Sequence, residues 1–500
     1  MYKIEFNLVF NKTITKELLK KISEISDSLK DKVEKSGSTF KYELKENGTD
    51  SILFKVDSNA LTVTDFAVQF EKKIKEEIGK QFKLGIKEFN ILNYEITEEL
   101  EETPKKEFIV PLAKKISFYG KKVTIIYNNI PFDWIKNHYI EKTLKLIKDK
   151  IKILNYDGKD EFKEYVWEGK ERKIEHYADP AILLEQKGWI KRTDSKGQYI
   201  YGREFTALLN VLKELYVEKI YTKLGFYEMI FPKFEPWSVP MKSGHAKNIY
   251  SNAYFVSVPK KSSPEYWQEI MDLFAITGEV QTELIKDKVD CVGIMSYAQC
   301  PPFWPFLHNR IIDEKTLPLL IFDWSGPTYR NESGGTHGLD RVEEFNRIET
   351  LFVGTKPQVI DAWKKLKEAF TEFYNKVLDI EVKVARVTPW WMAHAGIKTE
   401  TGNEEMGTFD FDAYLPYRGD RTKEWLEIQN VSSNGDKYPI AFNVKGMDQQ
   451  FLWSGCAGAS FQRVIVAFLA QKGLDSKNWP KDVKERYEKN VKGITELKFC

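Results

Sequence analysis

Residues 328–349 read TYRNESGGTHGLDRVEEFNRIE. Three arginines, five acids and a Gly-Gly pair sit between two apolar, β-rich runs, PLLIFDW before and IETLFVG after. The pattern predicts a strand, a loop and a returning strand. Residues i and i+2 of a strand face the same way, so Arg330 and Glu332 share one face, and Arg341 and Phe345 share another. A guanidinium can fork onto a phosphate or carboxylate. A carboxylate can read an amine, and an arginine over an aromatic ring suits a flat base with a phosphate attached. The hairpin therefore reads as a nucleotide clamp. A surface hairpin laced with cross-strand ion pairs is the competing reading.

The chain of 500 residues is too long for one core and predicts two or three domains. Its net charge is +2 with a high total charge, so basic faces are local rather than global. Four cysteines (Cys291, Cys300, Cys456 and Cys500) are too few and too scattered for a disulfide framework. The N-terminal MYKIEFNLVF alternates like a strand and lacks a signal peptide's plan. No apolar run is long enough to span a bilayer, and the expectation is a cytoplasmic protein with no membrane partner.

Periodicity predicts a small α+β domain over 1–165, with strands at 2–10, 38–43, 50–57, 89–96, 107–112 and 123–128 and helices at 15–34, 63–79 and 132–153. Its lysine clusters KKISFYGKK and KTLKLIKDKIK are either solvated faces or phosphate contacts. Residues 166–200, polar and turn-rich, read as a linker, and 201–500 as a larger domain.

Two further segments extend the clamp. Residues 205–231 show an amphipathic helix, a stop at Gly225 and a strand, followed by Pro232. Residues 453–471, WSGCAGASFQRVIVAFLAQ, show a small-residue turn, Arg463 and an apolar helix. In this order they resemble motifs 1, 2 and 3 of the class II aminoacyl-tRNA synthetases. EIQNVSSNGD at 427–436, with MKSGHAKNIY, YAQCPPFW, ARVTPWWMA and LWSGCAGAS, is similar to the methanogenic (type 2, archaeal) seryl-tRNA synthetases. The mixed strands and helices of the N-terminal region, in place of a long helical hairpin, agree with that family.

The resemblance implies an α+β fold: a class II antiparallel sheet flanked by helices, with a separate N-terminal tRNA-binding domain. It implies ATP-dependent attachment of serine to tRNA(Ser) through a seryl-adenylate, by a homodimer paired through the motif 1 helix. It implies a Zn²⁺ ion, one per subunit, on Cys300, Glu349 and Cys456, and Mg²⁺ with ATP. ATP would meet Arg330, Glu332, Arg341, Phe345, Glu427, Asn430 and Arg463, with Arg330, Arg463 and Glu427 catalytic. Serine would meet Arg330, Glu349, Trp390, Asn430 and Ser432. Arg347 would touch the adenylate, and His337 or His245 could approach substrate or be ordinary polar residues. Cys291 and Cys500 have no counterpart. The segment 394–408 corresponds to a family insertion expected to order on substrate binding.

Several positions depart from the family pattern. Gln462 stands where a glutamate is usual, which predicts weaker positioning of Arg463 and predicts that Gln462→Glu preserves or raises activity. Trp324, Thr336, His394 and Ser460 are also unusual and suggest a modified pocket. The alternatives are a paralogue activating another amino acid and a non-catalytic RNA-binding relic.

Overall fold

The computed structural model describes the whole chain except residues 36, 61, 157–161, 248, 333–334, 389–404, 423–424 and 494–500. It divides into two compact units, Met1–Lys159 and Asp160–Cys500.

In the first unit the strand Tyr2–Phe10 buries every second residue (Tyr2, Ile4, Phe6, Leu8 and Phe10), as its alternating sequence requires. It lies within a six-stranded sheet ordered Phe40–Glu46, Ser51–Ser58, Tyr2–Phe10, Ile86–Glu99, Lys122–Pro131, Lys115–Tyr119, with all neighbours antiparallel. Helices Lys16–Lys35, Thr62–Lys73 and Tyr139–Tyr156 contribute to one core with this sheet. The strand expected at 107–112 does not form. That stretch is irregular, and the edge position is taken by Lys115–Tyr119, whose exposed lysine and tyrosine residues mask its strand pattern.

The second unit is built on a nine-stranded sheet. Its main path runs Tyr227–Glu228, Leu319–Asp323, Glu344–Gly354, Trp453–Ser460, Leu426–Gly435, Gly407–Ala413, Val382–Thr388, Phe162–Glu168, and Pro327–Tyr329 pairs with Glu344–Gly354. Every pairing is antiparallel except Tyr227–Glu228 with Leu319–Asp323. The helices Arg203–Tyr216, Lys356–Glu372 and Phe461–Lys472 join the sheet in one large core. Residues 166–200, expected as a linker, carry the end of an edge strand, the helix Pro180–Gln186 and a hairpin, Ile190–Arg192 with Tyr199–Tyr201. Ala181, Leu184, Trp189 and Ile190 enter the large core, so a few apolar residues in a polar stretch sufficed to dock it.

The helix beginning at Arg203 continues to Leu224 and stops at Gly225, which adopts φ +80° as a left-handed cap. The expected small-residue turn at 453–460 is instead a strand. It runs directly into the helix Phe461–Lys472, and Ser460 caps that helix by accepting from Arg463 N at 3.5 Å. Small residues are needed there for packing: a Cβ at Gly455 would lie 2.2 Å from the Phe352 ring.

Candidate active site

Three neighbouring strands supply the centre of the site. Glu349 faces Gly458 across one pairing, and Ser432 faces Cys456 across the next. Cys300 comes from outside the sheet, just before the short helix Pro301–Phe306. The donor atoms of Cys300, Glu349 and Cys456 all lie within 4.8 Å of one another. Glu349 is fully buried, and among the described residues its Oε1 has no hydrogen-bond partner. A buried carboxylate oxygen without a partner is costly unless a cation meets it. Two thiols and one carboxylate are a donor set suited to zinc, with a fourth tetrahedral position open.

Arg347, two residues before Glu349, donates from Nε to Glu349 Oε2 at 2.6 Å. Burial works against its charge, but Glu349 and the two thiols more than compensate and hold it protonated. Burial raises the Glu349 pKa despite that arginine. Sharing a proton with Cys456, together with burial, pushes the Cys300 thiol well up. A dication here would reverse that preference and favour the thiolates. Asn434 Nδ2 approaches Cys456 Sγ at 3.4 Å. Gly458 leaves the room that Arg347 fills: a Cβ there would sit 1.9 Å from Arg347 Nη2.

Arg330 and Glu332 are not on a strand. The strand ends at Tyr329; Arg330 N still bonds Glu343 O at 2.8 Å, the next step of the same register, and the chain turns away at Asn331, whose N bonds Asn252 O at 2.9 Å. Arg341 likewise precedes the returning strand, in a bridge with His337. The two faces inferred from strand spacing therefore do not exist as such. The pairing they implied partly survives, since Arg341 Nε donates to Glu332 Oε2 at 3.1 Å. Phe345 is buried, opposite Thr328. Burial lowers the pKa of Arg330, and Arg347 nearby adds to this.

Arg463 is held by the Asp340 carbonyl through Nε at 2.9 Å and by the Glu427 carbonyl through Nη1 at 2.9 Å, with Glu427 Oε2 at 3.8 Å. Asn430 Nδ2 reaches Glu427 Oε1 at 3.4 Å, and Ser432 Oγ lies 2.8 Å from Thr408 Oγ1. His337 Nδ1 lies 3.0 Å from Asp340 Oδ1. Trp390, His394, Cys500 and most of 394–408 lie outside the described residues. Cys291 is exposed and apart from the other two thiols in the metal-type cluster.

Gln462, Trp324 and Thr336 are each tied to other parts of the fold. Gln462 does not position Arg463. It is fully buried, accepts from Asn346 N at 2.9 Å and donates to Tyr201 OH and Asn346 Oδ1, each at 3.0 Å. Trp324 donates to Glu228 Oε1 at 2.6 Å and lies under Lys213 of the motif 1 helix. Thr336 packs its methyl against Gly197 of the hairpin. Sequence reading missed Asn434 and Tyr297, whose ring centroid lies 5.3 Å from the Arg330 guanidinium. Neither stands in a periodic pattern; the signal was that Tyr297 opens the segment YAQCPPFW and Asn434 lies in EIQNVSSNGD, both similar to the family.

A largely antiparallel sheet with Arg347 on one of its strands and Arg330, Arg341 and Arg463 on the segments around it is the arrangement of a class II tRNA synthetase core. Residues 293–472 match the family model of the tRNA synthetase class II core domain (G, H, P, S and T), and residues 1–149 match a tRNA-binding domain. The chain is 40% identical to the type-2 serine–tRNA ligase of Methanococcoides burtonii, over 86% of this chain and 85% of that one. It is 36% identical to that of Methanothrix thermoacetophila, over 89% of each. A solved structure of M. kandleri SerRS in complex with A. aeolicus tRNASec shares the fold. Its TM-score is 0.86 at 24% identity, covering 100% of this chain and 98% of that one. The chain belongs to the type-2 serine–tRNA ligase family.

Proposed function

We propose that in this enzyme the serine carboxylate attacks the α-phosphate of ATP, giving seryl-adenylate and releasing pyrophosphate, and that the seryl group is then transferred to tRNA(Ser). The observation that carries the reading is the Cys300–Glu349–Cys456 cluster, with a carboxylate oxygen unpartnered among the described residues, near the half-buried arginines 330 and 347. Zinc bound by these three residues would supply an open coordination position that takes the neutral amine of serine. Magnesium would accompany ATP through oxygen ligands at Glu427 and Asn430.

The chain's own residues mainly position substrate and neutralise charge. Arg330 holds the serine carboxylate and the α-phosphate as they approach. Glu332 reads the adenine amine, Phe345 stacks beneath the base, and Arg341 and Arg463 neutralise the remaining phosphates. Arg347 keeps Glu349 oriented and faces the adenylate. Asn430, Ser432 and Trp390 shape the serine pocket. The terminal ribose hydroxyl of tRNA then attacks the adenylate carbonyl, and AMP leaves. The N-terminal unit contacts the tRNA in a cytoplasmic homodimer paired through the motif 1 helix.

The test is amino-acid-dependent ATP–pyrophosphate exchange across all twenty amino acids on zinc-replete protein. Exchange with serine alone is expected. Exchange with another amino acid would overturn the substrate, and exchange with none would favour the relic.

A further inference from the structure

Arg330 enters the site with little to aim it. Among the described residues its buried Nε has no hydrogen-bond partner and no carboxylate forms an ion pair with it. What lies against its guanidinium is the face of Tyr297, at 5.3 Å. Tyr297 is itself fixed by a set of rings. His245 meets it edge to face at 5.9 Å, Tyr438 stacks on His245 at 6.2 Å, and Trp304 stacks on Tyr438 at 5.4 Å. Ser243 Oγ, 2.8 Å from His245 Nδ1, fixes the imidazole in turn. Trp304 belongs to the short helix that begins right after Cys300. Arg330 and the Cys300 donor are thus referred to one aromatic scaffold, although they arise from different segments.

We propose that Tyr297 is a positioning residue that aims Arg330 at the reacting carboxylate and phosphate through the face of its ring. A flat cation over an aromatic face keeps its charge available to a ligand while losing sideways freedom. A carboxylate partner would orient the arginine equally well but would compete with the substrate's anion. The inference rests on the adenylate-forming reading above.

The experiment is serine-dependent ATP–pyrophosphate exchange by the full-length, zinc-loaded enzyme, comparing parent, Tyr297→Leu, Tyr297→Phe, Arg330→Ala and the Leu/Ala double variant. Exchange by the parent tests the adenylate reading; the ratios among variants test Tyr297. Tyr297→Leu is expected to lower kcat and kcat/KM together by about tenfold or more, with bound zinc unchanged. Tyr297→Phe, which keeps the ring, recovers most of that loss. In the Arg330→Ala background Tyr297→Leu adds less than twofold, because its effect runs through the arginine. A Phe variant as impaired as the Leu variant overturns the proposal, as does a Leu effect that persists in full without Arg330.

Discussion

At Gly458 the missing side chain is what the site requires. The neighbouring strand directs Arg347 over that position, and a methyl group there would overlap the guanidinium. Gly458→Ala is expected to displace Arg347 from Glu349 and reduce serine-dependent exchange by about 100-fold. Because the colliding atoms end a side chain, the melting temperature should fall only slightly; a variant with parental activity would refute this account. Gln462 shows the converse case, a polar residue whose conservative replacement is not conservative. Its amide bridges Asn346 and Tyr201 inside the core. A glutamate would bury a charge and lose both donated hydrogen bonds. Gln462→Glu should therefore cost about 1–3 kcal/mol of stability without raising activity. A thermal melt checks the stability, where an unchanged midpoint would refute this account, and raised serine-dependent exchange would restore the expectation drawn from the family pattern.

The short strand Phe234–Pro236 pairs with Val289–Met295, which also pairs with Phe255–Pro259. It brings Glu235 into the interior, where Oε1 finds no partner among the described residues. Burial pushes the Glu235 pKa up to about 8, opposed by a hydrogen bond from Ser296. The folded state therefore retains a proton that the unfolded chain gives up near its ordinary value of 4.5. This contribution to stability is full below that value and is lost as pH rises through about 8. Glu235→Gln removes the titration. Relative to parent, its stability should improve between pH 5 and pH 8 by more than about 1 kcal/mol. Melts at the two pH values decide, and parallel pH profiles would count against it. Much at this scale was legible, because period-2 alternation and amphipathic spacing report local geometry. The hairpin within 190–201 and the edge strand from Phe162 were not, since their burial depends on partners distant in the chain.

Each unit of the molecule has its own apolar core. One is drawn from residues between Tyr2 and Ile151, and the largest of the other unit from residues between Ala181 and Tyr487. A separate core is the condition for independent folding. A fragment of residues 160–500 is expected to keep serine-dependent exchange within about tenfold of the full chain, since the proposed chemical residues all lie in it. It should lose most charging of tRNA, because residues 1–149 match the tRNA-binding domain. Comparing exchange with aminoacylation on one preparation measures both, and equal retention of the two would remove the first unit from tRNA recognition. No helix among the described residues is long and apolar enough to cross a membrane.

The sequence by itself determined the order of elements around the clamp, the helix that stops at Gly225, and the three motifs that identify the class II core. The elements follow from local rules of periodicity and capping, and the motifs from their resemblance to the class II synthetases. Spacing could not pair Cys300 with Cys456, 156 positions apart; the family resemblance implied their grouping with Glu349, and the tertiary structure brings the three within 4.8 Å. Only that structure decided that Arg330 lies on Tyr297 and that Gln462 serves the core rather than Arg463. The reason is physical. Which strands become neighbours, and in what register, is set by burying both faces of a sheet at once, and no local stretch of chain contains that information.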